Sequence, residues 1–250
     1  MLVAGTLAEK PARLVSPAEP VEVLGPPPRF VGRGGEKLDA ALERFSMSVE
    51  GRRVLDAGSS TGGFTDCLLQ RGAAHVLAVD VGRGQLDARL RADPRVTVME
   101  RTDVRRLALG ERFPVVVADL AFVSLRAVAC SLVGLTATGG DLVVLVKPQF
   151  EAGPVEASRG RGVIRDPAVW RRAVEGVGAA FAAEGASMMG LMVSPLLGSE
   201  GNVEFLAHFR AEGAPGAAAA EPADVDVDLD AVLAEAERLQ RRGRTSRNGG

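Results

Sequence analysis

Two near-continuous apolar runs, Pro114–Leu120 and Asp141–Val146, are separated by a helical pattern over Ser124–Leu135. A strand with one face in water alternates apolar and polar residues. An unbroken run of β-formers instead marks a strand covered on both sides, as at the centre of a parallel sheet. The same rhythm runs through the rest of the body. Strands over Arg53–Ala57, His75–Val81 and Val96–Met99 alternate with helices over Glu36–Met47, Gly63–Arg71 and Gln85–Arg91. On the first of these helices Leu38, Ala41, Leu42 and Phe45 share one face. A long helix over Pro167–Glu184 then precedes strands at Ser187–Val193 and Val203–Phe209. This order predicts an α/β fold with a doubly wound, mostly parallel, seven-stranded Rossmann-like sheet. No helix separates the last two strands, so a closing hairpin with one antiparallel strand near the C-terminal edge is expected.

Composition sets broader limits. The 250 residues are 46% apolar and 25% charged, with a net charge of −2, the profile of a globular chain. No apolar run reaches the ~18–20 residues of a membrane span, and Glu9, Lys10 and Pro11 break the only stretch that could serve as a secretory signal. A cytoplasmic protein is expected. Cys67 and Cys130 are too few for a disulfide framework, lack metal-ligand spacing, and read as buried small hydrophobes; no metal is expected. Three segments follow: a start at residues 1–28 ending in Gly25-Pro26-Pro27-Pro28, a body at 29–210, and a tail at 211–250. The tail comprises an Ala/Pro stretch and a helix from Leu229 to Arg242, with Leu229, Val232, Leu233, Ala236 and Leu239 on one face.

In a doubly wound sheet, ligands bind beyond the carboxyl ends of the strands. The first body strand runs into Asp56-Ala57-Gly58-Ser59-Ser60-Thr61-Gly62-Gly63-Phe64-Thr65. Neither a G-x-G-x-x-G dinucleotide fingerprint nor a G-K-[ST] phosphate loop is present. The acid at the strand end would also repel a pyrophosphate. Such a loop suits a cationic, phosphate-free nucleoside such as S-adenosylmethionine, with Asp80 placed for ribose hydroxyls and Asp103 for the adenine amine. The bland alternative is turn glycines and helix-capping aspartates.

The acceptor is narrowed by what is missing. Amine methyltransferases of nucleic acid usually carry Asn/Asp-Pro-Pro-aromatic after the fourth strand. Here the sequence reads Ala118-Asp119-Leu120-Ala121-Phe122. Carbon-five methylation of a pyrimidine needs a nucleophilic cysteine, which neither thiol resembles. An oxygen acceptor remains. The chain has 27 arginines but only three lysines, Lys10, Lys37 and Lys147. Lys147 follows a central strand, where an ammonium can lose its proton and a guanidinium cannot. Lys147 as base or orienter, with Asp119 beside it, would suit a 2′-hydroxyl; Lys37 and Glu204 could complete an alternating charge network. Lys147 snorkelling at a strand end and Lys37 on the surface are the plainer readings.

Arg33-Gly34-Gly35-Glu36-Lys37-Leu38, Asp56–Thr65, Ala78–Leu86, Asp93–Arg105, Ala118–Leu125, Leu145–Glu151, Gly162–Pro167 and Gly201–Leu206, taken together, resemble the TlyA family. These are haemolysin-named ribosomal-RNA 2′-O-methyltransferases with a catalytic domain of the FtsJ/RrmJ type. The resemblance spans roughly residues 3–210. It implies a catalytic tetrad of Lys37, Asp119, Lys147 and Glu204. It also implies S-adenosylmethionine held by Gly58, Ser59, Ser60, Thr61, Gly62, Gly63, Phe64, Asp80, Val81, Asp103 and Val104. The implied substrate is a cytidine ribose in small- and large-subunit ribosomal RNA, with Arg29, Phe30 and Arg33 linking RNA docking to the site. The family begins with an RNA-binding domain of the ribosomal-protein-S-four type. Leu2–Leu24 looks like only its C-terminal β portion, so the chain is expected to start mid-domain. Gly32 and Ala121 stand where the family has serines, and the segment after Arg210 lies beyond its pattern. A methyltransferase of a small hydroxylated molecule and a cytolysin are the competing functions.

Overall fold

The computed structural model describes residues 1–8, 14–22, 24, 28–153, 156, 162–212 and 227–247. The Pro-rich junction at 25–27, Lys10 and most of the Ala/Pro stretch after residue 211 lie outside them. Three two-residue strands come first, β1 (Leu2–Val3), β2 (Thr6–Leu7) and β3 (Val21–Glu22), paired antiparallel in the order β2-β1-β3. The body follows as α1 (Arg33–Arg44), β4 (Arg53–Ala57), α2 (Gly63–Gln70), β5 (His75–Val79), α3 (Ala88–Ala92) and β6 (Val96–Met99). It continues through β7 (Phe113–Ala118), α4 (Ala129–Leu135), β8 (Thr136–Val146), α5 (Pro148–Glu151), α6 (Pro167–Ala183), β9 (Ala186–Val193) and β10 (Phe205–Ala211), and α7 (Leu229–Arg247) is last.

Seven strands form one sheet in the order β6-β5-β4-β7-β8-β10-β9. All are parallel except β10, which pairs antiparallel with both β8 and β9. The reversed strand arises where expected, because β9 and β10 have no helix between them. The apolar runs of β7 and β8 are buried on both faces. Val116, Leu142 and Val144 point into a core with Phe113, Trp170, Phe181 and Phe209. Their neighbours Val115, Val117, Val143 and Leu145 face Leu38, Leu42 and Leu68 of α1 and α2. Phe181 stacks on Phe209 at 4.5 Å, and Trp170 meets Phe205 edge-on at 6.3 Å. The apolar face of α7 docks on the first core through Leu233 and Ala236, both buried.

Several boundaries differ from the sequence reading. Helix α1 starts at Arg33 rather than Glu36, because Gly34 and Gly35 are needed where it crosses Phe64 and Phe30: a Cβ at Gly35 would lie 2.3 Å from Phe30 Cγ. The helix expected over Ser124–Leu135 splits into a 3-10 turn at Leu125–Ala127 and α4. Cys67 is buried and its thiol is pushed up to about 12, mainly by that burial. Cys130, expected to be buried, is exposed on α4.

Candidate active site

The topology brings six chain segments to one edge of the sheet. Strands β4, β5, β6, β7 and β8 run the same way, so the loops holding Gly58, Asp80, Asp103, Asp119 and Lys147 all leave at the carboxyl edge. Because β10 is antiparallel, the residue preceding it reaches that edge instead. Phe205 pairs with Val146, which sets Glu204 across from Lys147.

A cavity of about 460 Å³ opens beside β4, β5 and β7, lined by Gly58, Ser60, Asp80, Val81, Gln85, Thr102, Asp103, Val104, Asp119, Leu120 and Phe122, among others. Gly58 has φ +87°, and a Cβ there would lie 2.5 Å from the Asp119 carbonyl oxygen. Only glycine permits that approach of two strand-end loops. Asp80 organises the floor by accepting the backbone N–H groups of Ser60 at 2.8 Å and Gly82 at 2.6 Å. Its remaining lone pairs are those a ribose would use.

Asp103 lines the cavity but is already engaged. The Arg105 side chain and then the Arg105 backbone N–H hold its carboxyl down to about 2, with Arg105 Nη2 at 2.6 Å. Arg105 makes four hydrogen bonds to it, two to each oxygen, so a ligand amine would have to share or displace one of them. Ser59, Thr61, Gly62, Gly63 and Phe64 do not line the cavity. Gly63 packs on the backbone of Gly34 and Gly35 and Phe64 is buried against Gly34, so these two join α2 to α1. Gly62 instead packs toward Leu86 and Leu90, and Thr61 is exposed.

Asp56, at the end of β4, is wholly buried. Thr65 donates its hydroxyl to one oxygen at 2.6 Å, while the other oxygen has no hydrogen-bond partner among the described residues. Burial pushes this carboxyl up to about 7; the Thr65 hydrogen bond opposes the rise, and the negative charges of Asp119 and Asp80 add to it. Asp56 does not line the cavity; its carboxyl ties β4 to α2 through Thr65 beneath the glycine loop.

Next to the cavity lie two ion pairs. Lys147 Nζ is 2.6 Å from Asp119 Oδ1, and Lys37 bonds Glu204 with both side chains under 10% exposed. A Cβ at Gly34 would lie 3.6 Å from Asp119 Oδ2, so α1 carries Lys37 past the first pair on its way to the second. The register sets Glu204 across from Lys147, so the two pairs follow one another along the sheet edge. An ammonium here can orient a hydroxyl, only a neutral lysine amine can take its proton, and the carboxylates can hold either in place.

The three residues expected to meet RNA are each tied to the protein. Phe30 is 3% exposed and belongs to the core. Arg29 pairs with Asp39 at 2.5 Å and lies 4.6 Å over the Phe30 ring, while Arg33 donates to the Leu197 carbonyl at 2.5 Å. Sequence reasoning assigned no role to Gln85, Leu120 or Phe122, although all stand inside motifs it singled out. Among the described residues no group of acids, histidines or cysteines could hold a metal, and no helix is long and apolar enough to cross a membrane.

Comparison with known proteins matches residues 30–211 to the model of the FtsJ-like methyltransferases. The chain is 49% identical over 212 residues to the 16S/23S rRNA (cytidine-2′-O)-methyltransferase TlyA of Mycobacterium tuberculosis, covering 83% of this chain and 79% of that protein. It is 32% identical over 180 residues to the 23S rRNA (cytidine-2′-O)-methyltransferase TlyA of Campylobacter jejuni, covering 72% and 70%. A solved hemolysin-named structure from Streptococcus thermophilus superposes with a TM-score of 0.83 at 36% identity, over 96% of this chain and 86% of that one.

Proposed function

Because this chain belongs to the FtsJ-like methyltransferase family, and within it to the TlyA proteins, we propose that it transfers a methyl group from S-adenosylmethionine to the ribose 2′-hydroxyl of a cytidine in ribosomal RNA. The observation that carries this reading is the alternating row of Lys37, Glu204, Lys147 and Asp119 beside a glycine-floored cavity. When bound, S-adenosylmethionine supplies an electrophilic methyl group on a positively charged sulfur. Gly58 and Ser60 would face it, Asp80 would take the ribose hydroxyls, and Val81 and Val104 would flank the adenine near Asp103.

The acceptor hydroxyl is a poor nucleophile unless oriented and relieved of its proton. Lys147 does both in this reading: its ammonium, held by Asp119 at 2.6 Å, would orient the hydroxyl, and its neutral amine form would take the proton. Lys37 and Glu204 form a second, buried ion pair that does not line the cavity and in this reading balances charge behind the Lys147–Asp119 pair. Arg29, just before α1, stays 58% exposed beside Asp39, and with Arg33 in the first turn of α1 it offers positive charge to phosphates in this reading. The three-stranded sheet at Leu2–Glu22 is read as the C-terminal part of an RNA-docking module. A ribosomal substrate places the reaction in the cytoplasm.

The test uses tritiated S-adenosylmethionine and ribosomal subunits lacking the modification, with the Lys147→Ala variant alongside. Label that survives base removal and disappears in the variant supports ribose methylation. Equal label in both proteins overturns the role of Lys147. No label in either subunit overturns the ribosomal reading.

A further inference from the structure

The short helix α5 begins directly after Lys147 and ends at Glu151, whose side chain is 1% exposed. One Glu151 oxygen accepts the Leu125 backbone N–H at 2.7 Å, and the other accepts the Ser124 hydroxyl at 2.5 Å, with Arg126 Nε 3.3 Å away. Arg126 also donates to the Glu151 carbonyl at 3.0 Å. A carboxylate this deeply buried persists only when paired and hydrogen-bonded. All of these partners come from one segment, Ser124–Arg126, which starts shortly after Asp119. At the other end of α5, the Phe150 N–H donates to the Lys147 carbonyl at 2.9 Å.

The stretch between Asp119 and Ser124 is under strain. Phe122 has φ +63° and is 93% exposed at the cavity rim. A bulky residue keeps that backbone conformation only where its surroundings over-determine it. Both ends of the loop are anchored: Asp119 N–H donates to the Ala57 carbonyl at 3.0 Å, and Glu151 clasps the far end.

We propose that Glu151 is a positioning residue for methyl transfer: its buried carboxylate clasps the Asp119 loop to the Lys147 turn and so sets the geometry of the Lys147–Asp119 pair. The proposal rests on the reading of that pair as the group that handles the acceptor hydroxyl. Glu151 touches no substrate; it acts through the two segments it joins.

The experiment measures kcat, KM and thermal unfolding for full-length Glu151→Ala, Glu151→Gln, Ser124→Ala and Lys147→Ala variants on unmodified ribosomal subunits. In Glu151→Ala, kcat should fall by about 10- to 100-fold, the scale of a misplaced catalytic group, with KM for S-adenosylmethionine within about threefold of the original. Glu151→Gln should restore most of the loss, since its amide oxygen can accept from Leu125 and its nitrogen can donate to Ser124. Wild-type kcat in folded Glu151→Ala overturns the proposal even if its melting temperature drops, because a purely structural cap changes stability alone. Failure of glutamine to rescue overturns it too. If Glu151→Ala does not fold, Ser124→Ala decides: a severalfold loss of kcat supports the clasp, and an unchanged kcat overturns it. Full activity in Lys147→Ala would instead overturn the role given to Lys147 under the proposed function, a separate result.

Discussion

Lys37 and Glu204 stand 167 residues apart in the chain, yet their side chains form a buried ion pair at the carboxyl edge of the sheet. Helix α1 brings the lysine, and the reversed strand β10 brings the glutamate. Gly198 leaves the room: a Cβ there would lie 2.6 Å from Glu204 Oε1.

Removing one partner strands the other charge in a poorly solvated place. Lys37→Met should therefore destabilise the protein by about 3–5 kcal/mol, and adding Glu204→Leu should recover most of that loss. Chemical denaturation of the single and double variants checks this. Methyl transfer should not return in the double variant; recovered activity would mean that the pair serves stability alone.

Lys147→Arg keeps the positive charge beside Asp119 but replaces a titratable amine with a guanidinium that does not deprotonate. Activity should drop by about 10²- to 10⁴-fold, the range expected for loss of a proton acceptor. Binding of S-adenosylmethionine, measured by calorimetry, should change little. An active arginine variant would reduce the role of Lys147 to charge alone.

Gly58→Ala combines strain at φ +87° with a Cβ 2.5 Å from the Asp119 carbonyl oxygen. The backbone must shift, at a cost on the order of 1–3 kcal/mol. Because both displaced loops border the cavity, affinity for S-adenosylmethionine should fall at least about tenfold, the equivalent of about 1.4 kcal/mol. Unchanged affinity would remove this loop from the binding site.

Asp56 and Asp141 should give opposite pH signatures. Burial lifts the Asp56 carboxyl from its ordinary 3.8 to about 7, so between those values the folded state holds a proton that the unfolded chain has lost. Stability from this group therefore falls as pH rises through that window, by up to about 1.4 kcal/mol per pH unit. The Asp56→Asn variant should lack that decline in denaturation curves taken from pH 4 to 8.

At Asp141, burial alone would raise the carboxyl, but His208 at 3.0 Å and Arg210 at 2.9 Å outweigh it and hold it below 3.8. Its contribution is present above the ordinary carboxylate range and is lost as pH falls through the lowered value. Asp141→Asn should thus lose stability at neutral pH and converge on the original protein in acid. A constant gap down to pH 2 would contradict this.

The strand and helix pattern was legible because burial writes itself into residue spacing. Val115 through Ala118 and Leu142 through Val146 alternate between two cores, so neither strand tolerates a polar break. The motifs marked the strand ends for the same reason, since ligand-facing loops need small residues, acids and the rare lysines. What the pattern missed was local: the 3-10 turn before α4, the four-residue helix α5, and the burial of Phe30, all of which depend on neighbours distant in sequence.

The sequence by itself determined the seven strands, the one reversed strand and the glycine loop. Periodicity and residue chemistry are local properties that survive in any one-dimensional reading. Only the tertiary structure decided which charges meet. It paired Lys147 with Asp119 and Lys37 with Glu204, turned Arg105 onto Asp103, buried Asp56 with one oxygen unpartnered, and joined Glu151 to Ser124. Those choices follow from strand order, register and desolvation, which no single stretch of the chain contains.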